Sequence, residues 1–410
     1  MLKKLNIPKG WEKGTVGDLA RGIRGVTFSS EDILSSDEPT AVVLLRSNNI
    51  KDSRINFDEV YLLPSAEVSE DQIARAGDVA VCMSNGSKRL VGKAARLTAV
   101  ELRRKVSVGA FCALFRPTSG ADNNFVPYLF DTESYRRELD ITLAGSAINN
   151  LKNSDIEGIK IPLPPLAEQR KIAEILRTWD EAIETAEAEH GSLVKQLNGL
   201  VQSLALRIPE GKAPNGWVDW QLGDLVVEVD RRVEWDDDMI YKLVSCARRS
   251  GGIFHREDKL GSEIAVKKMQ EIRSGDFILS RMQVLHGGWA MVKPDFAGHH
   301  VSDMYMILEP RVDRLYMPYF DWISRTSWMR HLAYLASYGV HIEKMTFVPK
   351  LFLKSKVRIP DSIAEQKRIV EILDGFTQKV EISSALLELL RSQKRGLMQK
   401  LLTGEVRVAV

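Results

Sequence analysis

"LAEQRKIAEIL" (Leu166–Leu176) and "IAEQKRIVEIL" (Ile363–Leu373) are near-copies of one phrase, 197 residues apart in a chain of 410. Seven of the eleven positions are identical, and three more exchange Leu for Ile or Lys for Arg. The duplication continues outward in the same order. "PKGWEKGTVGDLA" (Pro8–Ala20) returns as "PNGWVDWQLGDLV" (Pro214–Val226), and "ARAGDVAVCMS" (Ala74–Ser84) as "IRSGDFILSRM" (Ile272–Met282). "IKIPLPPLAEQ", ending at Gln169, matches "VRIPDSIAEQ", ending at Gln366. An internal repeat sets the architecture before any other feature. Each half pairs a variable globular part with a more constant tail, and the period is far too long for a solenoid.

Read on from each copy in alternating steps of four and three. The first series is Ile172, Leu176, Trp179, Ile183, Ala186, His190, Leu193, Leu197, Leu200 and Leu204. The second is Ile369, Leu373, Phe376, Val380, Ser383, Leu387, Leu390, Lys394, Leu397 and Leu401. A 3.5-residue apolar repeat sustained over more than four heptads signals a coiled coil. Pro164 and Pro165 open the first helix, and Ser362 with Glu365 fits a capping box at the second. Pro209 and Gly404 mark the ends. Each helix should run about 40 residues, or roughly 60 Å. A leucine stripe cannot stay in water, so the two helices are expected to pair. An antiparallel register puts Ile172 near Leu401, His190 opposite Ser383 and Trp179 opposite Lys394. His190 either belongs to a register-setting polar layer or is exposed beside Gly191.

The variable parts read as mixed α/β. "AVVLLRSNNI" (Ala41–Ile50), "DVAVCM" (Asp78–Met83) and "GAFCALFRP" (Gly109–Pro117) look like strands. "VPYLFDTESYRRELD" (Val126–Asp140) and "MPYFDWISRTSWMRHLAYL" (Met317–Leu335) look like helices. The fold class expected is α/β in the mixed α+β sense: two globular parts joined by two long helices in an antiparallel coiled coil, a pseudo-twofold tandem repeat. The boundaries are 1–160 and 209–358 for the globular parts, and 161–208 and 359–410 for the helices.

Composition narrows the classes. Cys82, Cys112 and Cys246 are odd in number and scattered, which points to a reducing, cytoplasmic setting and away from a disulfide frame. No apolar run approaches the roughly 20 residues of a membrane span, and the first residues lack the apolar core of a secretory signal. A net charge of +2 requires any nucleic-acid surface to be a local concentration of Lys and Arg. Phosphate-loop, dinucleotide, hydrolase-elbow and H-E-x-x-H motifs are absent from the sequence. "PDSIAEQK" (Pro360–Lys367) resembles a metal-dependent nuclease signature. All of it falls in one helix cap, however, and the sister copy has Pro-Leu and Glu-x-Arg there. Six of the seven histidines lie in the second variable part, but none are spaced i, i+4, so no metal is expected.

The duplicated joints "IPLPPLAEQRKIAEIL" and "IPDSIAEQKRIVEIL", the "GW…GDL" openings at Gly10 and Gly216, the "GDV"/"GDF" turns at Gly77 and Gly275 and the closing "LMQKLLTGEVRV" carry a resemblance. Over its whole length the chain resembles the specificity subunit of type I restriction-modification enzymes. The second joint departs from it in reading "PDSIAEQ" for "PPLAEQ". The resemblance implies two target-recognition domains, each reading one half of a split, non-palindromic sequence in double-stranded DNA. It implies that the helices set the spacing and dock two modification subunits, which carry S-adenosylmethionine and methylate adenine. Translocating restriction subunits complete the complex, and the chain itself would bind no cofactor and catalyse nothing. Two alternatives remain: a coiled-coil scaffold that binds only proteins, or the specificity subunit of another two-component methyltransferase-nuclease system.

Candidate DNA contacts follow from loops after strands and from side chains that reach phosphates or base edges. The first half offers Asn85, Ser87, Lys88 and Arg89; Arg103, Arg104 and Lys105; and Asn149, Asn150 and Lys152. The second offers Arg281, Gln283 and His286; His299 and His300; and Tyr338, His341 and Lys344.

Overall fold

The computed structural model describes residues 7–99, 101–145, 149–205, 207–341 and 345–410. The chain divides into two compact units, the first of residues 1–186 with 386–410, the second of residues 187–385.

In unit 1, a short strand (Glu12–Thr15) pairs antiparallel with Lys160–Leu163, the strand that leads into the first long helix. The central sheet is antiparallel, in the order Ala20–Arg24, Cys112–Pro117, Val79–Cys82, Ala94–Arg96. A second sheet sets Val42–Leu45 between Tyr61–Leu63 (antiparallel) and Val106–Val108 (parallel). Unit 2 is built the same way. Trp217–Gln221 pairs with Lys356–Pro360 ahead of the second long helix. Its central sheet runs Val226–Val229, Tyr305–Pro310, Phe277–Ser280, Trp289–Met291. In its second sheet Ile240–Cys246 lies between Ile253–Leu260 (antiparallel) and His300–Ser302 (parallel), with Met269–Glu271 at the edge.

The central strands are apolar without alternation because both faces of the sheet are covered. Successive side chains point to opposite faces. Val79 and Val81 pack with the helices, while Ala80 and Cys82 pack toward the second sheet. In unit 2, Phe277 and Leu279 face the helices and Ile278 the other side. The repeated "GD" turns also have a local cause. Gly77 and Gly275 sit at φ +93° and +90°, where a side chain is strained. The following aspartate then closes the turn: Asp78 accepts from the Arg75 N–H at 2.8 Å and Asp276 from the Arg273 N–H at 2.7 Å. Each is also paired with a guanidinium, Arg116 for Asp78 and Arg231 for Asp276.

Two single helices expected from periodicity are each broken in two. Val126–Leu129 is followed by Glu133–Ala144, and Met317–Ser324 by Ser327–Leu335. The break is a threonine N-cap in both cases. Thr132 accepts from the Tyr135 N–H and Thr326 from the Met329 N–H, which outweighs the apolar periodicity running through them.

The long helices span Leu166–Leu200, extended by a π-helical turn at Val201–Ala205, and Ile363–Leu402. They begin later than 161 and 359, since residues 161–163 and 359–360 are strand. Gly404, at φ +70°, follows the second. In unit 1, Ile172, Leu176 and Leu401 are buried in the main core with Leu397 against it, and Ile183, Ala186, Leu387 and Leu390 form a small cluster further along. In unit 2, Leu197, Leu200 and Leu204 pack on a core that includes Ile369 and Leu373. Trp179, His190, Leu193, Phe376, Val380 and Ser383 are half-buried. Lys394 finds its partner one residue past Trp179. It pairs with Asp180, lies 5.3 Å from the Tyr128 ring centroid, and Asp180 also accepts from Tyr128 Oη at 2.7 Å.

The glutamine of each repeated phrase fastens a long helix to its globular part. Gln169 Oε1 accepts from the Asp122 N–H and its Nε2 donates to Pro164 O, both at 3.0 Å. Gln366 Oε1 accepts from the Tyr316 N–H at 2.8 Å, and its Nε2 donates to Arg314 O and Pro360 O, both at 2.9 Å. The neighbouring glutamates differ. Glu168 is buried and accepts from Trp11 Nε1 at 3.1 Å and Arg407 Nε at 3.0 Å, and the Arg407 hydrogen bonds hold its carboxyl below the ordinary range. Glu365 is exposed; its N–H reaches Ser362 Oγ at 3.4 Å while its carboxylate lies 3.9 Å from Arg368.

Candidate nucleic-acid interface

In unit 1 the site is built at the end of the strand Val79–Cys82. The chain turns at Ser84, and Asn85 Oδ1 accepts from the Ser87 N–H at 3.0 Å, folding the loop on itself. A second segment lies along it. Ser84 bridges to Asn150, the Asn85 N–H donates to Asn149 O at 3.4 Å, and Asn149 Nδ2 donates to Gly86 O at 3.2 Å. Lys88 and Arg89 are exposed on the short turn Lys88–Leu90. The helix Glu133–Ala144 braces that turn, with Arg136 Nη1 donating to Val91 O at 2.7 Å and Tyr135 Oη to Gly92 O at 3.0 Å. Asn85, Ser87, Lys88, Arg89, Asn149 and Asn150 therefore share one polar surface, with the exposed Lys152 two residues on.

Arg103, Arg104 and Lys105 are not part of it. They precede the strand Val106–Val108 and so lie at its opposite end, where Arg104 pairs with Asp37 at 2.8 Å.

Unit 2 repeats the construction after Phe277–Ser280. Gln283 Oε1 accepts from Arg248 Nε at 2.9 Å. The Arg249 N–H donates to His286 O at 2.6 Å and the Ser250 N–H to Gly287 O at 2.9 Å. Arg281 is tied to Glu228 at 2.7 Å. Tyr338 and His341 are exposed on a hairpin whose strands are Ser337–Tyr338 and Thr346–Phe347, and Lys344 lies outside the described residues.

His300 is corrected as a DNA contact. It is 3% exposed, stacked edge-on to Tyr241, and neither ring nitrogen has a partner among the described residues. Burial lowers its pKa, so it is a neutral core histidine. His299 stands half-buried just before the same strand, against Phe296 and His255.

Sequence reading missed one loop in each unit. The turn after Val42–Leu45 contributes Ser47, whose Oγ accepts from Asn85 Nδ2 at 3.4 Å. The turn after Ile240–Cys246 contributes the exposed Arg248 and Arg249. The available signal was the pair "LLRSNN" and "CARRSGG", each a polar run closing an apolar strand; Arg249 and Ser250 take φ of +60° and +54°.

Among the described residues, no group of three or more His, Cys, Asp or Glu side chains is placed to hold a metal ion, and no helix is long and apolar enough to cross a membrane. Around the nuclease-like "PDSIAEQK", Glu365 faces Arg368, and Lys367 lies 5.5 Å from the Tyr316 ring centroid.

Residues 8–190 match the family described as the type I restriction modification DNA specificity domain. The chain is 31% identical over 215 residues to the type I restriction enzyme EcoKI specificity subunit of Escherichia coli strain K12, an alignment covering 52% of this chain and 46% of that protein. It is 27% identical over 282 residues to the StySPI specificity subunit of Salmonella potsdam, covering 67% and 56%. The chain thus spans about half the length of these curated relatives. A solved chain from a type I restriction-modification system shares the fold, with a TM-score of 0.62 at 16% identity over 98% of this chain and 100% of that one.

Proposed function

We propose that this chain is the DNA-reading specificity subunit of a type I restriction-modification complex. The observation that carries the proposal is one polar loop cluster built twice, at the same end of the same sheet, in a chain whose residues 8–190 match a DNA specificity domain. Each cluster reads one half of a split target. The two sets of side chains differ, Asn85, Asn149 and Asn150 against Arg248, Gln283 and Arg281, so the target need not be a palindrome. Amides suit adenine and guanidinium groups suit guanine in the major groove.

The helices of 35 and 40 residues serve as the spacer between readers, paired as an antiparallel coiled coil, and as the dock for two modification subunits. In this reading the globular parts are 1–160 and 209–358. Those partners supply S-adenosylmethionine and methylate adenine, restriction subunits join them in the cytoplasm, and this chain does no chemistry. Methylome sequencing of the host with and without this gene tests the proposal. A split adenine-methylated motif that disappears on deletion is expected. An unchanged methylome with the partner genes expressed refutes it and favours a protein-only scaffold.

A further inference from the structure

One feature of each loop cluster is apolar. Phe111 is 71% exposed and Met304 43% exposed. Scattered exposed apolar residues are ordinary on a protein surface. These two are set apart by position, because each is the residue before the third-crossing strand of its central sheet, Cys112–Pro117 or Tyr305–Pro310. Register fixes the equivalence: Cys112 faces Cys82 and Tyr305 faces Ser280, so Phe111 stands across from Met83 and Met304 from Arg281.

Each is also held rigidly. Phe111 O accepts from the N–H groups of Met83 at 2.8 Å and Ser84 at 3.2 Å, and Met304 O accepts from the Arg281 N–H at 3.0 Å. The main chain of each residue is thereby fixed beside the polar loop, next to Ser84 and Asn150 in unit 1 and Arg281 in unit 2. An amide next to an exposed apolar group matches an A·T pair in the major groove, which offers adenine N6 and N7 beside the thymine 5-methyl.

The geometry points to Phe111 and Met304 as base readers that seat against a thymine 5-methyl group, one in each half of the target. The inference rests on the DNA-reading function proposed above. Removing the methyl by replacing thymine with deoxyuridine leaves base pairing intact and deletes only this contact.

The test uses the full chain assembled with its modification subunits, on duplexes carrying the methylated motif with deoxyuridine at one thymine at a time. For the parent complex, one position in each half should weaken binding roughly fourfold, the worth of one buried methyl group. Phe111→Ala should abolish that sensitivity in one half only, Met304→Ala in the other only, and Phe111→Leu should retain it. Phe111 lies outside the core, so its truncation leaves no cavity, and an unchanged melting temperature checks this. No deoxyuridine-sensitive position in the parent, or sensitivity that persists in Phe111→Ala, overturns the inference while leaving sequence-specific binding in place. A parent complex that binds all duplexes alike overturns the DNA-reading function itself, and this inference with it.

Discussion

Replacing Gln366 with alanine tests whether the repeated phrase works through its glutamine. The side chain is 0% exposed and makes three hydrogen bonds to main-chain atoms of two other segments, at Tyr316, Arg314 and Pro360. Alanine strands one buried N–H and removes the donor from two carbonyls. A net hydrogen bond is worth about 1 kcal/mol, and an orphaned buried partner costs about 1–3 kcal/mol. The loss should total about 3–5 kcal/mol. For a unit of this size, 1 kcal/mol shifts the melting temperature by about 2–4 °C, so unit 2 should melt roughly 10 °C lower. Six of the eight tryptophans (Trp217, Trp220, Trp235, Trp289, Trp322 and Trp328) lie in unit 2, so tryptophan fluorescence during heating reports chiefly on it. Gln169→Ala breaks two such bonds and should cost less, about 2–3 kcal/mol. Glu365→Ala, at an exposed site, should be near neutral. A Gln366→Ala chain that melts within about 2 °C of the parent, or no lower than Glu365→Ala, refutes the clamp.

Glu168→Gln should show a pH-dependent defect. The Arg407 hydrogen bonds depress the folded carboxyl below its ordinary 4.5, so the stabilisation is present above the unfolded pKa and is lost as pH falls through the folded one. Urea midpoints of parent and variant should differ at pH 7 and converge in acid; a gap that widens in acid contradicts the sign. At Lys394, alanine leaves Asp180 without its ammonium partner, whereas Asp180→Asn with Lys394→Met removes both charges and keeps an acceptor for Tyr128 Oη, so the single variant should be the less stable of the two. Thr326→Ala removes the N-cap that splits residues 317–335 and should cost about 1 kcal/mol, read by the unit 2 melting transition. Asn85→Ala and Arg248→Ala should each relax the methylated motif in one half and leave the other unchanged, whereas Lys88→Ala should weaken binding to all sequences and reduce the salt slope by about 1.

Some of this was legible in the linear chain. The duplication, the two long helices and their starts within a few residues could be read because periodicity and prolines act over one or two helical turns. The glycine turns at Gly77 and Gly275 were visible as repeats, although their cause, a positive φ closed by Asp78 and Asp276, was not. The role of the AEQ phrase shifted from glutamate to glutamine. Gln169 bonds to Asp122, 47 residues away, and Gln366 to Tyr316, 50 residues away. No local pattern announces a bond of that span.

Sequence by itself determined that there are two globular parts with two long amphipathic helices, because an apolar stripe at helical spacing has only one way to leave water. Tertiary structure alone decided which polar residues stand together. Strand register put Asn85 beside Ser47 and Asn150, and Phe111 beside Met83, while sending Arg103–Lys105 to the far end of a strand. It also buried His300 next to an accessible Met304, four residues on. In a sheet, the end at which a loop emerges follows from strand direction and order, and those are set by pairings between residues far apart in the chain.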